Sequence, residues 1–184
     1  MTDFEETREY KLGRSGEEYV AGALRARGHY VTDTAMLRPE NGHGPRIHGR
    51  DGDELIPADL DVQLMPWRYR VLIQVKTKTR PDMGRITGEL EHGFAWRDWL
   101  EYRTLEQRFG SPVFLVIAEV DTRKILAQRI GNLRVRGDCP TLNRGQQMAY
   151  FPRSQFAEDG VARMERCAEH ATAIAQRRAG PSLL

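Results

Sequence analysis

The sequence predicts an α/β protein, bordering on α+β, in which a central mixed β-sheet is flanked by helices. Three observations carry that expectation. Segments of helical and strand periodicity follow one another in the order α-β-β-β-α-β-β-α. Val113-Phe-Leu-Val-Ile-Ala118 is an unbroken apolar run, the pattern of a central strand covered on both faces. Ala58-Asp-Leu-Asp-Val-Gln-Leu64 and Tyr69-Arg-Val-Leu-Ile-Gln-Val-Lys76 read as two strands joined through Met65-Pro-Trp-Arg68 as a hairpin.

The elements follow in chain order. Residues 1–12 are charged and read as a short helix or arm. Ser15-Gly-Glu-Glu18 fits the S-x-x-E capping box, with Ser15 as N-cap and Glu18 three positions on. Val20, Ala23, Leu24 and Arg27 then recur at helical spacing, and Gly28 stops the helix. Glu17 stands three residues before Val20, on the inward face, where a carboxylate needs a partner. His29–Asp33 reads as a short strand. Residues 38–57 are rich in Gly, Pro and charge and read as a long loop, placed to influence substrate choice just before the strand pair. Residues 80–88 form a second irregular stretch.

Glu89 to Phe109 reads as a long helix with Ala95, Trp99, Tyr102, Leu105 and Phe109 on one stripe, ended by Gly110-Ser-Pro112. After the central strand, Asp121–Lys124 turns into Ile125–Arg129, an antiparallel partner. Residues 131–150 fit no single element. A final helix spans about 156–178, with Val161, Met164, Ala168, Ala171 and Ile174 or Ala175 facing inward. The chain shows no repeats, linkers or low-complexity tracts, so residues 1–184 are expected to form one domain.

Composition narrows the functional classes. The net charge is only +2, so any basic surface must be local. Cys139 and Cys167 are too few and too far apart for a disulfide scaffold or a CxxC metal site, which suits reduced thiols in a cytoplasmic protein. No apolar run approaches the roughly 20 residues of a membrane span, and Met1-Thr-Asp-Phe-Glu-Glu6 lacks a signal-peptide core. No nucleophile elbow, Walker loop or dinucleotide fingerprint is present.

The chemistry concentrates on the strand pair. Alternate side chains of a strand point to opposite faces, so Leu60, Val62 and Leu64 share one face and Asp59, Asp61 and Gln63 the other. Val71, Ile73 and Val75 likewise oppose Gln74 and Lys76. If the polar ends meet at one sheet edge, an acid, an amide oxygen and an ammonium converge there, as metal-assisted attack on a phosphodiester requires. Asp59 lies one pleat from Asp61 on the same face, where it is either a second ligand or simply solvated.

Glu17 on the first helix, Asp61 on the second strand and Gln74-Val75-Lys76 on the third resemble the PD-(D/E)XK nuclease superfamily. Gly13-Arg-Ser-Gly-Glu17 with Val20, Leu24 and Gly28 resembles the opening helix of Holliday-junction-resolvase-like members, and Q-x-K resembles the Mrr-type restriction endonucleases. The segment from Trp96 through residues 113–118 also looks like small nuclease-like domains with a D…QVK core, and the resemblance covers about residues 13–130. It implies a restriction-endonuclease-like core and a Mg2+- or Mn2+-dependent endonuclease acting on DNA, in restriction, phage defence or recombination.

The resemblance also implies roles. Asp61, favoured over Asp59 by its spacing, is a metal ligand; Gln74 offers its side-chain oxygen and Val75 its backbone carbonyl. Lys76 orients or helps deprotonate water and steadies developing phosphorane charge, and Glu17 binds a second metal or positions water. Gln74 departs from the acidic residue most relatives carry, which removes one negative charge from the ligand set and should weaken metal affinity.

Other side chains have two readings each. Lys78 and Arg80 either contact DNA phosphates or form a solvated strand end. Trp96, Trp99 and Tyr102 either stack on bases or pack in the core. His43 and His48 lack metal-ligand spacing. The neutral Gln74 and modest charge also fit a second function, a nuclease-fold protein that no longer cuts and binds nucleic acid or protein. RNA is not separated from DNA by these residues. Cutting both strands of a duplex, or a symmetric junction, would favour a homodimer.

Overall fold

Helix α1 (Arg8–Ala26) leads to β1 (Tyr30–Asp33), the two-residue strands β2 (Ile47–His48) and β3 (Glu54–Leu55), then β4 (Leu60–Leu64) and β5 (Tyr69–Lys78). There follow β6 (Asp82–Met83), β7 (Leu90–Ala95), α2 (Trp96–Phe109), β8 (Val113–Glu119), β9 (Lys124–Arg129), β10 (Thr141–Asn143), β11 (Gln146–Pro152) and α3 (Gly160–Ala179). This computed structural model describes residues 7–34, 47–48, 54–84, 88–138 and 140–179. No helix among them is long and apolar enough to cross a membrane. Cys167 is free among the described residues, and Cys139 lies outside them.

The central sheet has the order β1-β4-β5-β8-β9. β5 and β8 run parallel, whereas the other neighbours run antiparallel, so the expected mixed sheet flanked by helices is present. Strand alternation supplies two apolar faces. Leu60, Val62 and Leu64 of β4 join Val71, Ile73 and Val75 of β5 against Val20, Ala21 and Leu24 of α1 and Val161, Met164 and Ala168 of α3. On the other face Leu72, Leu115, Ile117 and Leu126 pack on Trp99, Tyr102 and Leu105 of α2 and on Phe94 and Phe151. All seven residues of β8 are buried, as its unbroken apolar run predicts.

Several expectations are corrected. The first helix does not start at Ser15: it begins seven positions earlier at Arg8, where Thr7 Oγ1 accepts a hydrogen bond from Tyr10 N at 3.2 Å. Residues 8–12 thus belong to the same helix, and Ser15 and Glu18 lie exposed within it. The segment 89–95 is not helical. Leu90–Ala95 pairs with β11 in a second sheet, of order β10-β11-β7-β6, and the helix starts at Trp96. The partner strand starts within the stretch 131–150 that showed no clear period and runs on to Pro152, so a distant pairing overrode local helical preference. Within the loop read over 38–57, β2 and β3 pair; residues 38–46 and 49–53 lie outside the described ones.

A buried ion-pair network ties the two sheets together. Glu119, at the end of β8, accepts from His92 Nε2 at 2.9 Å, from Arg153 Nε and Nη2 at 2.9 Å each, and from Thr122 Oγ1 at 2.8 Å. Burial alone pushes the Glu119 carboxyl up, but Arg153, Thr122 and His92 together hold it down at about 2.

Two glycines of α1 report how closely it approaches β5. A Cβ at Gly16 would stand 1.9 Å from Thr77 Oγ1, whereas one at Gly22 would meet nothing within 4 Å. Gly16→Ala is therefore expected to destabilise by about 1–3 kcal/mol through overpacking, and a Thr77→Ala background should recover part of that loss. Gly22→Ala should instead stabilise by about 0.5–1 kcal/mol by removing backbone freedom from the unfolded chain. Urea unfolding of wild type, the three single variants and the Gly16→Ala/Thr77→Ala double variant checks both signs.

Candidate active site

The β4–β5 hairpin sets the site. Leu64 pairs with Tyr69 and Leu60 with Ile73, so the residue before Leu60 comes up against Gln74. That residue is Asp59. Its Oδ2 accepts from Val75 N at 2.8 Å and from the Gln74 side-chain Nε2. Its backbone is held by the residue that follows β1: Thr34 N and Thr34 Oγ1 each donate to Asp59 O at 3.0 Å. Gln74 is 3% exposed. Its Nε2 also donates to Val75 O at 3.2 Å, and its Oε1 is buried with no hydrogen-bond partner.

Lys76 follows on the same face. Its Nζ lies 3.8 Å from Asp98 Oδ2 in the first turn of α2 and 5.0 Å from the centroid of the Phe94 ring. Glu17 comes from α1 and pairs with Arg14, whose Nη2 also reaches Asp33 Oδ2 at 2.8 Å. Helical spacing puts Arg14 and Glu17 on one face, and β1 supplies Asp33. Burial, reinforced by the negative charges of Glu17 and Asp33, pushes the Asp59 carboxyl up to about 7, against the opposing pull of the Val75 N–H and the Lys76 ammonium. The Arg14 guanidinium is held charged chiefly by its hydrogen bond to Asp33.

Asp61 does not join this cluster, contrary to the sequence expectation. It stands opposite Leu72 and accepts from Arg70 Nε at 2.9 and 3.2 Å and from Arg70 Nη2. Arg70 in turn lies over the Phe109 ring at 5.0 Å. Alternation correctly put Asp59 and Asp61 on one face, but two residues along a strand is a shift of roughly 7 Å. The signal that separates them was already in the sequence. A hairpin closed by Met65–Arg68 sets Leu64 against Tyr69, and counting back from there brings residue 59, not 61, to Gln74.

The remaining side chains divide as follows. Trp99 and Tyr102 are core, each 6% exposed, and Trp96 packs beside Trp99 with ring centroids 4.8 Å apart, so this stripe is not a stacking surface. Lys78 is partly buried, which lowers its ammonium pKa against the pull of Asp82; Arg80 is exposed. His43 lies outside the described residues, and His48 pairs with Glu54 in the β2–β3 ladder. Arg14 and Asp33 were missed, because only the folded chain brings β1 alongside α1. A mostly apolar cleft of about 300 Å³ between α1 and the end of β8, lined by Leu12, Gly16, Tyr19, Thr77 and Val120 among others, contains none of Glu17, Asp59, Gln74 and Lys76.

The donor set suits a hard cation. Asp59 supplies a carboxylate, Val75 a backbone carbonyl and Gln74 a buried amide oxygen without a partner, all oxygens of the kind Mg2+ and Mn2+ prefer. Among the described residues no three His, Cys, Asp or Glu side chains form a metal cage. A cation here would keep several waters, which Mg2+ does readily.

The Asp59 shift has a thermal signature. The folded value near 7 stands above the ordinary 3.8, so between those pH values the folded protein holds a proton that the unfolded chain has released. This group therefore makes stability fall as pH rises from about 4 to about 7. Asp59→Asn is expected to lose that slope. Its stability relative to wild type should rise across the window and level off above it, by on the order of 4 kcal/mol. Metal-free urea unfolding at a series of pH values measures the difference, in which His92 and Glu119 cancel.

No family model and no curated protein matches the chain. Among solved structures it is similar to Hjc, a Holliday junction resolvase from the archaeal hyperthermophile Archaeoglobus fulgidus, with TM-score 0.47 and 13% identity over 79% of this chain and 90% of that one. It is also similar to a nuclease from a fusselovirus, with TM-score 0.48 and 13% identity over 95% of this chain and 97% of that one.

Proposed function

We propose that this chain is a metal-dependent nuclease that hydrolyses phosphodiester bonds in DNA, with Asp59, Gln74, the Val75 carbonyl and Lys76 as its working groups. The observation that carries this reading is the meeting of the Asp59 carboxylate, the Val75 carbonyl and the buried Gln74 amide in one register of the β4–β5 hairpin, with Lys76 next on the same strand face. A bound Mg2+ or Mn2+ would polarise the phosphate and lower the pKa of a coordinated water. Asp59 and the Val75 carbonyl would hold the ion, with Gln74 as a neutral third donor.

Lys76 is placed to hold negative charge. Its ammonium sits on the same strand face as Gln74, tethered loosely by Asp98 at 3.8 Å, and can swing to a phosphate oxygen without breaking a tight pair. That arrangement suits stabilisation of charge developing on the pentacoordinate phosphorus. Glu17 is already bound by Arg14, which also spans to Asp33. Its carboxylate is neutralised by a fixed cation, which favours a single-metal site with Glu17 positioning water over a second ion at Glu17. Lys78 and Arg80 extend the same strand end and would contact the DNA backbone, a salt-dependent contribution. Cutting both strands of a duplex would call for a symmetric pair of chains.

Plasmid and branched-DNA cleavage with Mg2+ or Mn2+ tests the reading. Asp59→Ala and Lys76→Ala should each lower the rate by about 100-fold or more, and Asp61→Ala should stay within about 3-fold of wild type. Undiminished cleavage in the first two variants rejects the site. DNA binding that persists in EDTA, with no product from wild type after long incubation, would instead identify a binding module built on this fold.

A further inference from the structure

Gln74 presents the wrong end of its amide for a metal ligand. Its –NH2, not its oxygen, faces Asp59 Oδ2 and the Val75 carbonyl. With Asp59 ionised, both neighbours are acceptors, and a donor satisfies them when no cation is present. The carboxylate is further fixed by Val75 N at 2.8 Å and cannot turn away. The amide oxygen meanwhile lies buried and unpartnered, an arrangement that folded proteins rarely tolerate.

A half-turn of the amide would reverse the problem. It would set Oε1 against two other oxygens, which repel it unless a cation stands between them. The terminal torsion of Gln is broad and roughly two-fold, so this turn needs no backbone movement. The –NH2 thus sits between the same two oxygens that a divalent ion would need.

We propose that the Gln74 side-chain nitrogen is a resident stand-in for the divalent cation, and that cation binding is coupled to inversion of this amide. The inference rests on the metal-site reading above and adds a reason for a neutral residue at position 74. A carboxylate there would face an ionised Asp59 with no donor between them and would leave the metal-free site unsatisfied. An amide closes the site when it is empty and, once turned, supplies an oxygen when it is filled. Gln74 is in this sense a positioning residue for the empty state as well as a ligand for the full one.

The test is side-chain amide NMR of the wild-type chain at pH 8, with the Gln74 NH2 pair assigned by through-bond and through-space connectivity, followed through a Mg2+ titration. Calorimetry on the same samples reports whether the ion binds. The expected result is a slowly exchanging Gln74 NH2 pair in the metal-free protein that shifts and exchanges faster as Mg2+ binds, and that does neither in Asp59→Asn. Gln74→Glu should bind Mg2+ roughly tenfold more tightly and melt several degrees lower when metal-free. Mg2+ binding with an unmoved, protected NH2 pair would overturn the inversion and leave the metal site standing. Absence of binding heat with Mg2+ or Mn2+, with and without duplex DNA, would overturn the metal site and the inversion together.

Discussion

The register of one hairpin governs this molecule. Because four residues close the turn between Leu64 and Tyr69, every pair along β4 and β5 follows, down to Asp59 against Gln74. A slip of one residue would send Leu60, Val62 and Leu64 to the opposite face. The core against α1 and α3 and the polar cluster on the other face therefore depend on the same pairing. Stability and chemistry cannot be separated here, since the residues that bury the sheet and those that line the site alternate along the same two strands.

The site is built from groups that are costly to hold together. Asp59 is packed against Gln74 and Val75 with Glu17 and Asp33 close enough to oppose its ionisation. The chain tolerates this by distributing positive charge around it. Arg14 binds two of the acids, Lys76 leans towards α2, and the Gln74 amide donates where a cation would otherwise be needed. The compensating groups come from α1 and β5, and the acids they answer from α1, β1 and the residue just before β4, so the cluster exists only in the assembled fold.

The second sheet has a supporting role of a different kind. It packs Phe94 and Phe151 onto the α2 face of the central sheet and locks to it through Glu119, His92 and Arg153. Removing one member of such a buried network leaves the others unsatisfied. Phe94 also lies beneath the Lys76 ammonium, so this sheet reaches the site through packing as well as through the ion pairs.

The sequence by itself determined the strand alternation, the buried central strand, the fold class and the polar face that carries Gln74 and Lys76, because these follow from local periodicity. It also contained the hairpin length from which Asp59 could be read, although pattern spacing pointed to Asp61. Local signals misplaced the start of α1 and the helix expected over 89–95, since a capping motif and helical spacing can occur where a longer helix or a distant strand wins. Only the tertiary structure decided that β7 pairs with β11, that Arg14 reaches Asp33, and that Gln74 turns its nitrogen rather than its oxygen towards Asp59. Those outcomes depend on contacts between residues far apart in the chain and on which acceptors are left without water, and no local pattern encodes them.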